Sequence, residues 1–130
     1  MATDTIRELI ITLSGKDGLA RKRARDQLVE IGSPAVPSLL PLLSDKQTHV
    51  RWEAAKALSE IGDPAAAPEL VRALEDNDPG IRWMAAEGLI RAEQAGLPPL
   101  LERLMEHGES IRLREGADHV LKVLAKNEKL

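Results

Sequence analysis

The segment Val50-Arg51-Trp52-Glu53-Ala54-Ala55-Lys56-Ala57-Leu58 returns thirty-one residues later as Ile81-Arg82-Trp83-Met84-Ala85-Ala86-Glu87-Gly88-Leu89. Self-similarity at a period of roughly 20–50 residues marks proteins built by stacking one supersecondary unit, because a single unit cannot bury its apolar face alone. This pair of segments predicts a solenoid.

Fainter copies flank the pair. Ala20-Arg21, Ala24, Leu28, Ile31 and Gly32 match Val50-Arg51, Ala54, Leu58, Ile61 and Gly62, while Leu113-Arg114, Ala117 and Leu121 match Ile81-Arg82, Ala85 and Leu89. Four helical hairpins are expected, their second helices beginning near Leu19, Val50, Ile81 and Leu113. They form one domain over residues 1–130, with approximate repeats 3–32, 33–62, 63–93 and 94–126. The outer copies depart furthest from the pattern, as repeats with one face in water do.

The linkers Ile31-Gly32-Ser33-Pro34 and Ile61-Gly62-Asp63-Pro64 place Gly just after one helix and Pro at the start of the next. Gly tolerates the left-handed conformation after a helix, and Pro lacks an N–H that a first turn leaves unpaired anyway. Ser33 and Asp63 then read as N-caps. Pro37, Pro68 and Pro98 recur at nearly one phase of the first helices, where a proline past the first turn is expected to bend the helix.

Charge repeats as well, since Asp45 precedes Arg51 by six residues and Asp76 precedes Arg82 by six. An Asp in the inter-helix turn can accept from backbone N–H groups and from the Arg of its own or the adjacent copy. Asp45, Arg51, Asp76 and Arg82 are therefore expected to form a structural ladder along the stack.

Asp, then Val/Ile-Arg-x-x-Ala-Ala-x-x-Leu, then Ile-Gly-Asp-Pro and Ala-x-Pro-x-Leu resembles the HEAT-like repeats of the phycobilisome-lyase type. The likeness spans nearly the whole chain, strongest from Ala20 to Leu104. It implies an all-α fold, a short right-handed α-solenoid of about four hairpins and about eight helices. It does not choose a function, because such repeats serve scaffolds, bilin lyases, a di-iron hydroxylase and DNA glycosylases alike.

Composition narrows the field. The 130 residues are 43% apolar and 30% charged, the balance of a folded soluble domain, with no Phe, Tyr or Cys. Aliphatic side chains alone must fill the core, and a reducing cytoplasm is the expected setting. Asp4 and Glu8 near the start argue against a secretory leader, and the apolar run from Ala35 to Leu43, broken by Pro37 and Pro41, is far short of a membrane span. A net charge of −3 disfavours nucleic acid as the main partner. A basic cluster, Lys16, Arg21, Lys22, Arg23 and Arg25, is the feature that keeps that partner in view.

At about 100° per residue, Val50, Ala54, Ala57, Leu58 and Ile61 share one face of the second helix and Trp52 lies roughly opposite, with Lys56, Ser59 and Glu60. Trp83 takes the equivalent place beside Met84, Glu87 and Arg91. In repeats that this chain resembles, the inner helices line the concave side and the second and third motif positions meet the partner; here these are Lys22 and Arg23, Trp52 and Glu53, Trp83 and Met84, and Glu115 and Gly116. Those expectations select Lys22, Arg23, Trp52, Glu53, Lys56, Glu60, Trp83, Met84, Glu87 and Arg91 as a protein- or peptide-binding wall. The competing expectation packs both indoles in the seam between copies under Arg51 or Arg82. Self-association through the same wall is compatible with either.

Catalytic chemistry is sparse. His49, His107 and His119 do not recur at one repeat position and none precedes Glu, so the di-iron reading lacks its ligands and turn or solvent positions are expected for all three. No phosphate loop, serine elbow or zinc motif occurs. The expectation is a non-enzymatic adaptor without cofactor or metal. Alternatives are a bilin-lyase-related or bilin-handling factor, which the resemblance suggests, and a nucleic-acid-binding module.

Overall fold

The structure is a computed structural model that describes the backbone of residues 2–130 and the side chains from Asp4 onward. Four helical hairpins follow one another. The first pairs α1 (Ala2–Leu13) with α2 (Gly18–Ile31). The second pairs a broken segment, in which α3 (Val36–Leu39) is flanked by 3-10 turns, with α4 (Thr48–Ile61). In the third, a 3-10 turn leads into α5 (Ala67–Ala73) and then α6 (Pro79–Ala92); in the fourth, another leads into α7 (Leu97–His107) and α8 (Ile111–Lys126). The described residues contain no strand, and none of their helices is long and apolar enough to cross a membrane.

The second helices α2, α4, α6 and α8 pack side by side in chain order as one layer, and the first helices form the other. Between them one aliphatic core runs from Ile6 to Leu124, with Leu13, Leu28, Leu39, Leu58, Leu74, Ile81, Leu89 and Leu113 fully enclosed. Burying each such side chain contributes about 1.5–3 kcal/mol. Ala54, Ala55, Ala57, Ala85 and Ala86 are buried between the helices and let the backbones approach. Gly88 carries this furthest, since a Cβ there would sit 2.7 Å from Leu70 Cδ1.

Both linker glycines do what their position requires. Gly32 and Gly62 take φ of 79° and 70° and donate their N–H to Leu28 and Leu58, each at 3.0 Å. Asp63 accepts from the Ala65 N–H at 2.9 Å. Ser33 does not cap its own turn; its hydroxyl faces Asp63 of the next linker and helps to hold that carboxyl below its ordinary value.

The prolines act differently from the expected mid-helix bend. Pro37, Pro68 and Pro98 fall within the first two positions of α3, α5 and α7, each preceded by a 3-10 turn. A first turn needs no N–H from those residues, so each proline sets where the α-helix begins. Pro41 is the exception, and α3 gives way to the 3-10 turn Leu40–Ser44 around it.

Candidate functional site: the wall of second helices

The two tryptophans occupy equivalent positions in sequence and different environments in space. Trp52 is half-buried, with the Arg25 guanidinium carbon 5.3 Å from its ring centroid and Gly80 of α6 against its Nε1 edge, where an added Cβ would lie 3.4 Å from Nε1. The seam reading fits Trp52, although the stacked arginine is Arg25 and not Arg51. Trp83 remains 58% exposed, tilted 34° against the His119 ring at a centroid distance of 5.3 Å. The neighbours explain the split. Arg25 aligns with Ala55, which is too short to cover the next indole, and Gly80 aligns with Arg112.

Glu53 and Met84 correct the expectation that both belong to the exposed wall. Met84 is 7% exposed and belongs to the core. Glu53, 5% exposed, receives Arg21 Nε at 3.3 Å and Arg25 Nη1 on its other oxygen. A carboxylate can be buried there because two guanidinium groups from α2 surround it. One helix over, Met84 fills the same position with no charge to satisfy.

The remaining wall residues are mostly engaged inside the fold. Lys56 pairs with Glu60 at 3.3 Å and Lys22 with Asp26 at 2.8 Å, both one helical turn apart. Arg91 reaches back across the repeat boundary, donating from Nη1 to the Ser59 carbonyl at 2.9 Å and to that of Glu60 at 3.3 Å, and so closes the C-terminal end of α4. Glu87 Oε1 is 3.7 Å from His119 Nε2. Arg23 stands exposed. Three members of the basic cluster, Arg21, Lys22 and Arg25, are held by acids of this chain.

Asp45, Arg51, Asp76 and Arg82 meet, with a more specific wiring than carboxylate-to-arginine rungs. In the first three copies the arginine at this position clamps the carbonyl six residues before it: Arg21 to Gly15 at 3.0 Å, Arg51 to Asp45 at 2.9 Å and Arg82 to Asp76 at 2.8 Å. The side-chain rung spans copies, with Arg51 Nε 2.9 Å from Asp76 Oδ2 and Nη2 3.3 Å from Oδ1. Asp76 also takes the Asp78 N–H at 2.9 Å. Asp45 uses its carboxylate only on the Gln47 N–H, at 2.9 Å.

What stays open on the wall is a groove of about 190 Å³ between α6 and α8, lined by Arg82, Trp83, Arg112, Glu115, Gly116 and His119, with Leu74 and Pro79 also bordering it. His119 was expected at a turn or in solvent but packs on Trp83, with Nε2 shielded and without a hydrogen-bond partner. His49 lies in the first turn of α4 and His107 ends α7. Alignment of the degraded last copy placed only Glu115 and Gly116 at wall positions, so Arg112 and His119 carried no repeat signal. Among the described residues no set of three or more His, Asp or Glu gathers as metal ligands.

A family model described as HEAT repeats matches residues 6–89 and 60–122. Among solved structures, the complex of CpcE and CpcF of phycocyanin lyase from Nostoc sp. PCC7120 superposes with a TM-score of 0.71 at 26% identity, over 95% of this chain and 80% of that one. An engineered protein superposes with a TM-score of 0.59 at 22% identity, over 92% of this chain and 62% of its own length, a likeness of fold. Sequence comparison with curated proteins finds no match.

Proposed function

The chain belongs to the HEAT repeat family, and from that premise we propose that it is a non-enzymatic adaptor of the cytoplasm that holds a protein or peptide segment against its second helices, centred on Trp83. One observation carries the reading: a large, stiff ring 58% exposed at the side of an open groove, in a chain whose other tryptophan is covered. Exposed aromatic area of this kind suits the centre of an interface. The repeat architecture supports a partner-binding role, and the solved complex of CpcE with CpcF supplies a protein of like fold that pairs with another.

The groove is open and shallow, which suits a chain segment better than a reaction that needs desolvated acid and base. Capture of partners from cell extract by wild type and by Trp83→Ala, followed by titration of the captured segment into purified protein, tests the reading. The expected result is a titratable segment whose affinity falls at least tenfold in the variant. Equal binding by both proteins overturns it.

Likeness to the phycocyanin lyase complex supports a second reading, a bilin-handling factor with Trp83 and His119 flanking the tetrapyrrole. A bilin absorbance spectrum unchanged by added protein counts against it.

A further inference from the structure

Two arginines converge on one residue at the mouth of the groove. Arg82 Nη1 donates to the main-chain carbonyl of Asn77 at 3.2 Å, and Arg112 Nη1 donates to the Asn77 side-chain oxygen at 2.9 Å. Neither guanidinium makes an ion pair with any described residue. Most of the other arginines on this layer are satisfied: Arg21 and Arg25 by Glu53, Arg51 by Asp76, Arg91 by two carbonyls.

Comparison with Arg51 shows what is missing. Both arginines spend Nη1 on the carbonyl six residues back, but Arg51 turns its Nε and Nη2 edge onto the Asp76 carboxylate in a two-point grip. For Arg82 the corresponding turn is His107-Gly108-Glu109-Ser110, where Gly108 stands in the place of Asp76. Glu109 points elsewhere, 3.9 Å from His107 Nδ1 and largely exposed. The ladder therefore stops with one arginine edge open, beside a second unpaired arginine and an exposed indole. The acids facing the groove are Glu115, exposed and in no ion pair, and Glu87, set against His119.

We propose that the open edge of Arg82, with Arg112 beside it, binds a carboxylate of an acidic peptide segment, while an apolar side chain of the same segment rests on Trp83. The inference depends on the Trp83 wall being a binding surface and names the chemistry of what binds there. Carboxylate is the ligand because this chain already shows the grip, made by a sister arginine on an aspartate. Planar two-point pairing of this kind favours arginine and carboxylate, and charge-assisted bonds are roughly twice as strong as neutral ones. The net charge of −3 disfavours long polyanions, which need a broad basic surface.

Fluorescein-labelled heptapeptides test the assignment, one with two central aspartates flanked by leucines, one with asparagines and one with lysines in their place. By anisotropy the aspartate peptide is expected to bind about tenfold more tightly than the asparagine peptide, with the lysine peptide weakest, and to lose about tenfold in Arg82→Gln. Arg112→Gln lies outside the backbone clamp, so a loss of several-fold there guards against a merely unfolded Arg82 variant. Equal affinity for aspartate and asparagine peptides overturns the carboxylate assignment, and if Trp83→Ala abolishes both, the binding wall itself stands. A labelled oligonucleotide that competes as well as the aspartate peptide at low salt overturns it in favour of a general polyanion site. If no peptide binds while an unbiased peptide library still yields Trp83-dependent ligands, the inference falls alone; if the library yields none, the functional reading falls with it.

Discussion

Arg51 and Asp76, twenty-five residues apart, are joined across a repeat boundary by two hydrogen bonds, Nε to Oδ2 at 2.9 Å and Nη2 to Oδ1 at 3.3 Å, with side chains 15% and 9% exposed. Asp76 is also tied to the Asp78 N–H, so one carboxylate couples a neighbouring helix to its own turn. Removing one partner of a pair so little exposed leaves an uncompensated charge, which costs about 3–5 kcal/mol. Asp76→Ala is expected to lose about 3 kcal/mol in urea denaturation, whereas Asp45→Ala, which removes a single turn bond, should lose about 1 kcal/mol. Equal losses would show that the pairing across copies contributes nothing of its own.

Glu53 holds two arginines, and Arg25 in turn covers Trp52. Glu53→Ala is expected to destabilise by about 3 kcal/mol, because two guanidinium groups of limited exposure lose their acceptor. Release of Arg25 should also shift the Trp52 emission to longer wavelength in a Trp83→Phe background. Unchanged emission would mean that Arg25 stays over the ring without Glu53.

The two tryptophans should separate in stability and in spectrum. Trp52→Ala is expected to cost about 2 kcal/mol, less than the 3–5 kcal/mol of a fully buried ring, and Trp83→Ala less than about 1 kcal/mol. The Trp52→Phe protein, which reports Trp83 alone, should emit at longer wavelength and be quenched more by iodide than Trp83→Phe. Matching quenching constants would contradict the different exposure of the two rings.

Asp63 has its carboxyl held below the ordinary aspartate value of 3.8, first by the Ala65 N–H and then by the Ser33 hydroxyl. A depressed folded value means that its contribution to stability is present above that ordinary value and is lost as pH falls through the folded one. Ser33→Ala should raise the Asp63 titration midpoint seen by carboxyl NMR, and Asp63→Asn should remove that part of the acid sensitivity. A midpoint unmoved by Ser33→Ala would place the whole effect on the backbone N–H.

Much of this architecture was legible in advance because its causes are local and repeated. The thirty-one-residue period, the glycines after α2 and α4, and the alanine and leucine phases each act within one helix or one turn. The ladder arginines were legible as a set, while their partners were not. Sequence spacing linked Asp45 to Arg51, yet that bond runs to a carbonyl, and the carboxylate that Arg51 grips belongs to the next copy. Pro37, Pro68 and Pro98 were legible as helix breakers but not as helix starts, since their phase depended on 3-10 turns that no periodicity announces.

The sequence by itself determined the stack: how many hairpins, where their second helices lie, and an aliphatic core free of Phe and Tyr. Only the tertiary structure decided which of two matching residues faces water. Trp52 and Trp83 share a motif position, as do Glu53 and Met84, and helix phase alone treats the members of each pair alike. Their exposure is set by the side chains that adjacent copies place against them, Arg25 and Gly80 around one indole, Ala55 and Arg112 in the same register around the other. Burial at a repeat interface belongs to a pair of copies, so the repeat motif fixes the position of each indole and its neighbours fix the exposure.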